Sequence, residues 1–259
     1  MRSYLEETAV AVIVEPRKVG GVAGEPVTLI TLDRPQRRNA VDHDALAALT
    51  DAIEGCADRE TRVLVLTGAA GAFCSGADLS AVEDASFAVL LQGVLDGLRD
   101  LPFPTLAAVD GPALGAGAQL AVACDLRVAT PESSFGVPAA KLGLMVNHWT
   151  VQRIASLLGP STARSVLLAC EVVSGADAHR LGFVNRLGDL DDALAWADTI
   201  AKLAPLTIAG HKLMLNRLEA ELPTYPDVAA AFDEAWDSND LREGVTAFHE
   251  RRPPVFGGY

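Results

Sequence analysis

The chain has 259 residues, half of them hydrophobic and 21% charged, and it carries a formal net charge of −13. This composition excludes a disordered protein and predicts one large or two small packed domains. Because 34 acidic residues outnumber 21 basic ones, it also excludes an extended nucleic-acid or anionic-membrane surface, which needs clustered lysines and arginines.

Two segments bear on export and membrane insertion. Glu6 and Glu7 fall where a secretory signal needs an apolar core. Prolines, glycines and Asp110 interrupt the most apolar stretch, residues 101–129, before it reaches about 20 uninterrupted apolar positions. The sequence therefore predicts a cytoplasmic protein without an integral membrane segment.

Strand and helix patterns alternate in the first half of the chain. Two β-rich runs, at residues 11–15 and 27–33, flank a Gly/Pro-rich turn and predict a hairpin. Apolar residues three to four apart predict a helix over 41–56. Further strands are predicted at 62–68, 105–111 and 126–130, with a small-residue helix over 114–124. Because these strands are nearly all apolar, we expect helices on both faces of a mainly parallel sheet.

Helices dominate from about residue 148 onward. They are predicted near 148–158, 160–170, 175–181, 190–204, 205–219, 227–237 and 239–249, with one short strand at 183–186. A shift of composition predicts a strand-bearing core over residues 1–200 and a helical region over 201–259. The fold class is therefore α/β, and such folds bind ligands at the carboxyl ends of their strands.

Two segments each follow a predicted strand and open with small residues. They are FCSGADLS at residues 73–80 and DGPALGAGAQLAVACDLRVAT at residues 110–130. Glycine and alanine there leave the N–H groups of a helix N-terminus facing open space, an arrangement that stabilises an oxyanion or a phosphate. Small residues also allow helices to pack closely, but two such segments in one chain favour a binding site.

The four cysteines are Cys56, Cys74, Cys124 and Cys170. They form no CxxC pair and have no histidine nearby, so the sequence predicts buried apolar residues and neither disulfides nor a metal site.

A third segment, FGVPAAKLGL at residues 135–144, makes a family resemblance specific. Together with ITLDRPQRRNAVD at residues 30–42 and the two segments above, it resembles the signatures of the crotonase, or enoyl-CoA hydratase/isomerase, superfamily. The resemblance runs from about residue 8 to the closing RRPPVFGGY. It implies a spiral of ββα units, a helical C-terminal region that forms trimers or dimers of trimers, and an acyl-CoA thioester as ligand without another cofactor.

The resemblance also implies roles for individual residues. The backbone amides of Ala77 and Ala116 would form an oxyanion hole that polarises the thioester carbonyl. The CoA ligand would further contact Arg37, Arg38, Ala40, Asp78 and Leu79. Arg34, Arg37 and Arg38 place three positive charges in five residues, which suits either CoA phosphates or a solvated turn. Arg251 and Arg252 would reach the cofactor phosphate of a neighbouring subunit.

The chain departs from the family where hydratases carry two glutamates, because Gln119 and Ala139 occupy those positions. Hydration of an enoyl thioester needs a base that takes a proton from water and an acid that delivers one to the α-carbon. A carboxamide and a methyl group do neither, so we expect weak or absent hydratase activity. Some actinobacterial homologues resemble this chain in lacking both glutamates, which implies long-chain acyl-CoA binding in lipid metabolism.

Other side chains are candidates to replace the two missing glutamates as acid or base. Some isomerases of the superfamily carry a carboxylate where Asn147 stands, and the neighbouring His148 is a candidate general base. Alternatively, Asn147 caps a helix and His148 lies in its first turn. Glu83 and Asp84 are either mobile acids or solvated side chains. Three functions therefore remain open: an acyl-CoA-binding protein, an isomerase, thioesterase or hydrolase with altered chemistry, and a true hydratase.

Overall fold

A computed structural model describes residues 11–57, 59–79, 86–220 and 225–257. The strands are β1 Val12–Arg17, β2 Val27–Leu32, β3 Val63–Gly68, β4 Thr105–Val109, β5 Pro112–Leu114, β6 Leu126–Ala129, β7 Ser134–Gly136, β8 Val173–Ser174 and β9 Arg186–Leu187. The helices are α1 His43–Ala57, α2 Ser86–Asp100, α3 Ala116–Ala123, α4 His148–Leu158, α5 Pro160–Leu168, α6 Gly175–Arg180, α7 Leu190–Ile200, α8 Pro205–Ala220, α9 Pro226–Asp237 and α10 Asn239–Glu250. Among the described residues, no helix is long and apolar enough to cross a membrane.

The main sheet has six strands in the order β1-β2-β3-β4-β6-β9. β1 and β2 pair antiparallel as the predicted hairpin, and every other pairing in this sheet is parallel. A second sheet has the order β5-β7-β8. The α/β class and the mainly parallel sheet are confirmed. The strands of the second sheet were not predicted, because strands of two or three residues are too short to show an alternating pattern in the sequence.

Helices cover both faces of the main sheet, as the apolar strands predicted. On β3, Leu64 and Leu66 face a core that contains Leu46 of α1. Val63 and Val65, which alternate with them, pack in a second core with α7. Helix α2 was not predicted, although its buried residues recur at helical spacing: Phe87, Leu91, Val94, Leu95 and Leu98.

The prediction of a strand at 183–186 is wrong for most of that range. The observed strand is β9, and Phe183 and Val184 are buried in the turn before it. The ring of Phe183 packs edge-to-face against Phe135, with ring centroids 5.0 Å apart. These residues are apolar because they pack into the core, and not because they pair in a sheet.

A buried arginine holds the C-terminal end of α3. The Arg127 guanidinium donates to the carbonyl oxygens of Ala121 at 3.1 Å, Cys124 at 2.7 Å and Phe183 at 2.7 Å. Burial lowers the pKa of Arg127 to about 10, so the side chain stays charged at neutral pH. A cation at this end of a helix complements its dipole and fixes the position of α3.

A buried lysine anchors α8 to the core. The Lys212 ammonium donates to the Asp125 carboxylate at 2.7 Å and to the carbonyl oxygens of Leu98 and Phe103 at 3.3 and 3.0 Å. The same Asp125 oxygen accepts from the N–H and hydroxyl of Thr105. Lys212 therefore ties α8 to the end of α2 and to the turn before β6.

We expect Lys212→Met to lower the free energy of unfolding by about 2 kcal/mol, because hydrogen bonds to a charged group are lost while methionine keeps most of the volume. Denaturant unfolding measures the change. The exposed Lys202→Met is the matched control and should change stability by less than about 0.5 kcal/mol. Equal effects of the two variants would contradict the anchoring role.

Candidate functional site

A cavity of about 660 Å³ lies beside the main sheet. Its walls come from the segment after β3, the N-terminus of α3, the 3-10 helix Pro138–Leu142, one face of α2 and side chains of α9 and α10. The cavity thus brings together all four sequence segments with family signatures, including the loop at residues 36–40, and the C-terminal helices.

The two glycine-rich segments meet backbone to backbone at the cavity. Gly76 and Gly115 have φ values of +119° and +53°, and a Cβ on Gly115 would lie 3.7 Å from the Gly76 Cα. At the second residue of α3, a Cβ on Gly117 would overlap the Cys74 carbonyl oxygen. Only glycine permits this approach at Gly117, so the sequence holds the two segments together by lacking a side chain there.

Ala77 and Ala116 lie in different kinds of backbone but line the same cavity. Val41 N donates to Gly76 O at 2.9 Å and Asp78 N donates to Val41 O at 2.7 Å. Because N–H directions alternate along an extended segment, the Ala77 N–H points away from Val41. Ala116 opens α3, where the first N–H groups have no helical acceptor. Within the described residues, neither N–H donates to a backbone carbonyl, and both residues line the cavity.

The loop before α1 carries the predicted arginines. Arg34 is not available for phosphate, because its guanidinium binds Asp42 at 2.6 Å, Asp78 at 3.4 Å and the Ala40 carbonyl at 2.6 Å. Arg37 and Arg38 are exposed and line the cavity mouth. Neither side chain has an ion-pair partner in the described part of the chain.

A buried asparagine shapes this loop. Arg38 and Asn39 have φ values of +50° and +55°, which are left-handed. The Asn39 side chain holds that turn by accepting from Arg34 N at 2.8 Å and donating to Ala69 O at 2.9 Å and Ala72 O at 2.5 Å. Arg38 is thereby presented at the cavity mouth.

The remaining predicted ligand contacts lie on the cavity wall. Ala40, Asp78 and Leu79 are buried and line the cavity. Asp78 accepts from Arg34, so a buried carboxylate near the site is paired with a cation.

Gln119 and Ala139 both line the cavity. Gln119 lies one turn into α3, and its Oε1 accepts a hydrogen bond from the Thr150 hydroxyl at 3.0 Å. Ala139 lies on the 3-10 helix Pro138–Leu142 and is partly buried. Neither side chain can exchange a proton with a ligand at neutral pH.

The structure does not bring His148 to the cavity. Asn147 caps α4 through its Oδ1, which accepts from Thr150 N at 2.8 Å, so the alternative helix-cap interpretation is confirmed. His148 is the first residue of α4, with its Nε2 3.1 Å from Gln152 Nε2 and its ring 6.1 Å from that of Tyr225. His148 is therefore a poor substitute for the missing acids, and the candidates Glu83 and Asp84 lie outside the described residues.

The sequence model of the enoyl-CoA hydratase/isomerase family matches residues 23–259. The chain belongs to this family. A probable enoyl-CoA hydratase of Mycobacterium tuberculosis, echA6, is 42% identical over 244 residues, covering 93% of this chain and 99% of the relative. The human mitochondrial enoyl-CoA hydratase domain-containing protein 2 is 33% identical and covers 93% and 89% of the two chains.

The fold of this enoyl-CoA hydratase/isomerase family member is equally well matched. The carnitinyl-CoA hydratase of Mycobacterium avium superposes with a TM-score of 0.82 at 34% identity, covering 97% of this chain and all of that one. The crotonase-like α/β fold is therefore confirmed.

The cysteines of this family member lie in its interior. All four are free and buried, as predicted. Burial raises the pKa of the Cys74 and Cys124 thiols to about 12, so thiolate is scarce at neutral pH although both residues flank the site.

The C-terminal arginines are placed unequally. Arg252 lies at the rim of its own chain's cavity and binds Glu243, with Nη2 to Oε2 at 2.8 Å, and Glu250 at 2.6 Å. These hydrogen bonds from Arg252 lower the pKa of Glu243 to about 2. Arg251 is exposed in a left-handed turn, and contact of either arginine with a neighbouring subunit stays a prediction.

Some residues that shape the site in this family member were not predicted. Thr150 orients Gln119 from 31 residues away, and the Trp236 indole N–H donates to Met145 O at 2.9 Å. Phe232 and Phe248 also line the cavity from α9 and α10. Their apolar helical spacing predicts buried faces but does not show what those faces cover.

Proposed function

We propose that this protein binds fatty acyl-CoA thioesters through the N–H groups of Ala77 and Ala116 and does not hydrate them. One observation carries the proposal: two amides that have no backbone acceptor in the described part of the chain line one cavity with a carboxamide and a methyl group. The amides suit a thioester carbonyl oxygen. Hydration needs two proton-transfer groups where Gln119 and Ala139 stand, so a bound enoyl thioester would persist.

The rest of the cavity supports a CoA ligand. The relatives are named as CoA hydratases, and Arg37 and Arg38 supply cations at the mouth of a strongly acidic protein. Ala40, Asp78 and Leu79 would border the ligand beside Ala77. Farther along, Leu91, Leu144 and Phe232 offer apolar surface to an acyl chain. No other cofactor is part of this proposal, and a cytoplasmic location belongs to it.

A homotrimer or a dimer of trimers is part of the same proposal. α8 exposes several large apolar side chains although Lys212 anchors its opposite side: Leu206, Leu213, Met214, Leu215 and Leu218. Exposed apolar side chains of this size favour burial against a partner, which a second copy of this chain would provide. Residues 201–259 would then form the trimerisation region next to the core of residues 1–200.

Calorimetric titration tests the binding part of the proposal. Saturated acyl-CoAs of increasing chain length are compared with free CoA and with the free fatty acids. We expect acyl-CoAs to bind more tightly than either fragment. Only an acyl-CoA contacts the arginines at the cavity mouth, the two backbone amides and the apolar wall at the same time. Failure of every acyl-CoA to bind would overturn the proposal.

We expect Arg37→Ala/Arg38→Ala to raise the Kd for acyl-CoA roughly tenfold at low salt, because two exposed cations at the mouth are removed. The effect should shrink in high salt, where exposed charges are screened. The double variant Arg164→Ala/Arg180→Ala removes two exposed arginines that lie outside the cavity wall, so it controls for the change in net charge. An equal loss of affinity with this control would show a nonspecific charge effect and exclude a phosphate site at the mouth.

A further inference from the structure

We propose that Gln119 makes this site selective for acyl-CoA thioesters that carry a carbonyl oxygen at C3, the 3-oxoacyl thioesters. The inference rests on the proposed function, since it names the ligand class of the same site. Its basis is one amide donor that has no acceptor among the described residues.

Among the described residues, the Gln119 carboxamide forms a hydrogen bond through its oxygen only. Oε1 accepts from the Thr150 hydroxyl at 3.0 Å, and Thr150 is itself fully buried on α4. Gln119 is 7% exposed and lines the cavity. Its Nε2 has no acceptor among the described residues, so the NH₂ group faces the cavity.

The neighbouring carboxamides are satisfied, which sets Gln119 apart from them. Asn147 Nδ2 donates to Gln92 Oε1, and Asn147 Oδ1 accepts from Thr150 N. Gln92 Nε2 donates to Asp96 Oδ1 at 2.8 Å. Both oxygens and both NH₂ groups of this pair therefore have partners inside the protein. The Nε2 group of Gln119 can therefore donate a hydrogen bond to a ligand.

The position of Gln119 on α3 selects the part of the ligand that it meets. Gln119 is three positions after Ala116, so it lies about 4.5 Å farther along the helix and on the same face. A thioester carbonyl held by the Ala77 and Ala116 amides places C3 two carbon–carbon bonds from the carbonyl carbon. The Gln119 donor therefore meets a substituent on C3. Ala139 on the cavity wall adds only a methyl group.

The chemistry of an unused donor determines which substituent is preferred. A 3-oxo oxygen accepts the Gln119 N–H and needs nothing else. A 3-hydroxyl also accepts, but its own proton then lacks an acceptor, since Gln119 Nε2 and the Ala139 methyl provide none. A saturated chain leaves a buried donor unpaired, which costs affinity. We expect the order 3-oxo, then 3-hydroxy, then saturated.

Calorimetry with three length-matched ligands tests the inference: a 3-oxoacyl-CoA, a 3-hydroxyacyl-CoA and the saturated acyl-CoA. The readout is the ratio of Kd values within one protein, which a general loss of affinity does not change. We expect the wild-type protein to bind the 3-oxo ligand about 3- to 10-fold more tightly than the saturated one.

Three variants and one control locate the effect. Gln119→Leu should bring the ratio to about 1, and Thr150→Val should lower it because Oε1 loses its partner. Gln119→Glu keeps the shape of the side chain but presents only acceptors, so it should reverse the preference. Gln152→Leu, on α4 but not in the cavity wall, should keep the wild-type ratio.

The outcomes separate the two proposals. Equal binding of 3-oxo and saturated ligands by the wild-type protein would overturn the role of Gln119 and leave acyl-CoA binding intact. A preference that survives in both Gln119→Leu and Gln119→Glu would also overturn it. Failure of all three ligands to bind would overturn the proposed function and this inference together.

Discussion

The double variant Gln119→Glu/Ala139→Glu is expected to hydrate crotonyl-CoA about 10²- to 10⁴-fold faster than the wild-type chain. That range is what a positioned acid or base contributes to the rate. The reason is local: both positions line one cavity with the two amides, so carboxylates introduced there face the same ligand. The Thr150 hydroxyl, which donates to the native Gln119 amide, would donate to the new carboxylate at that position and stabilise its charged form. Loss of the enoyl absorbance measures the rate.

The single variants are the controls for this experiment. Gln119→Glu or Ala139→Glu alone supplies one of the two carboxylates and should recover less activity than the double variant. Wild-type hydration at the rate of a competent hydratase would contradict the account outright. No gain in the folded double variant would show that the two positions do not face the C2–C3 bond, which contradicts the site assignment.

Gly117→Ala is expected to lower the free energy of unfolding by about 3 kcal/mol and to abolish tight acyl-CoA binding. The added Cβ would overlap the Cys74 carbonyl oxygen and lie 2.8 Å from the Cys74 Cβ. That carbonyl also accepts from Leu114 N at 3.0 Å, so backbone must shift to relieve the overlap. Overpacking of this kind costs about 1–3 kcal/mol, at the upper end where backbone blocks relaxation.

The consequence for binding follows from the same shift. Moving α3 away from Cys74 would separate the Ala116 N–H from the Ala77 N–H, so the proposed pair could no longer share one carbonyl oxygen. Urea unfolding and calorimetry measure the two effects. Gly93→Ala, in α2 with nothing within 4 Å of its new Cβ, is the matched control. It should stabilise the protein by about 0.5–1 kcal/mol. Comparable stability and binding in both variants would show that the close approach is not required.

Much of the scaffold followed from local patterns. The hairpin, the parallel strands and most helix positions were predictable because apolar period and Gly/Pro breaks act over a few residues. The site segments were predictable through the family signatures, and the structure gathers them at one cavity. The alternative that Asn147 caps a helix came from its residue type and from the helical pattern that follows it, and the structure confirms that alternative.

The corrections concern residues whose partners are distant in sequence. Arg34 looked like one of three equivalent cations, but it binds the nearby Asp42 at 2.6 Å and also Asp78, 44 residues away, at 3.4 Å. Lys212 binds Asp125, 87 residues away, and the sequence of α8 contains no pattern that predicts this contact. The orientation of Gln119 depends on Thr150 in the same way. Periodicity shows which face is buried, whereas pairing of polar groups is decided by the tertiary fold.

The most direct test of the central claim is mass spectrometry of the ligand recovered from the protein after incubation with an enoyl-CoA and with the saturated acyl-CoA of equal length. Binding without turnover predicts a protein–ligand complex from which both thioesters return with unchanged mass. An enoyl-CoA that gains the mass of one water, or release of free CoA from either ligand, at rates of a competent enzyme would contradict it.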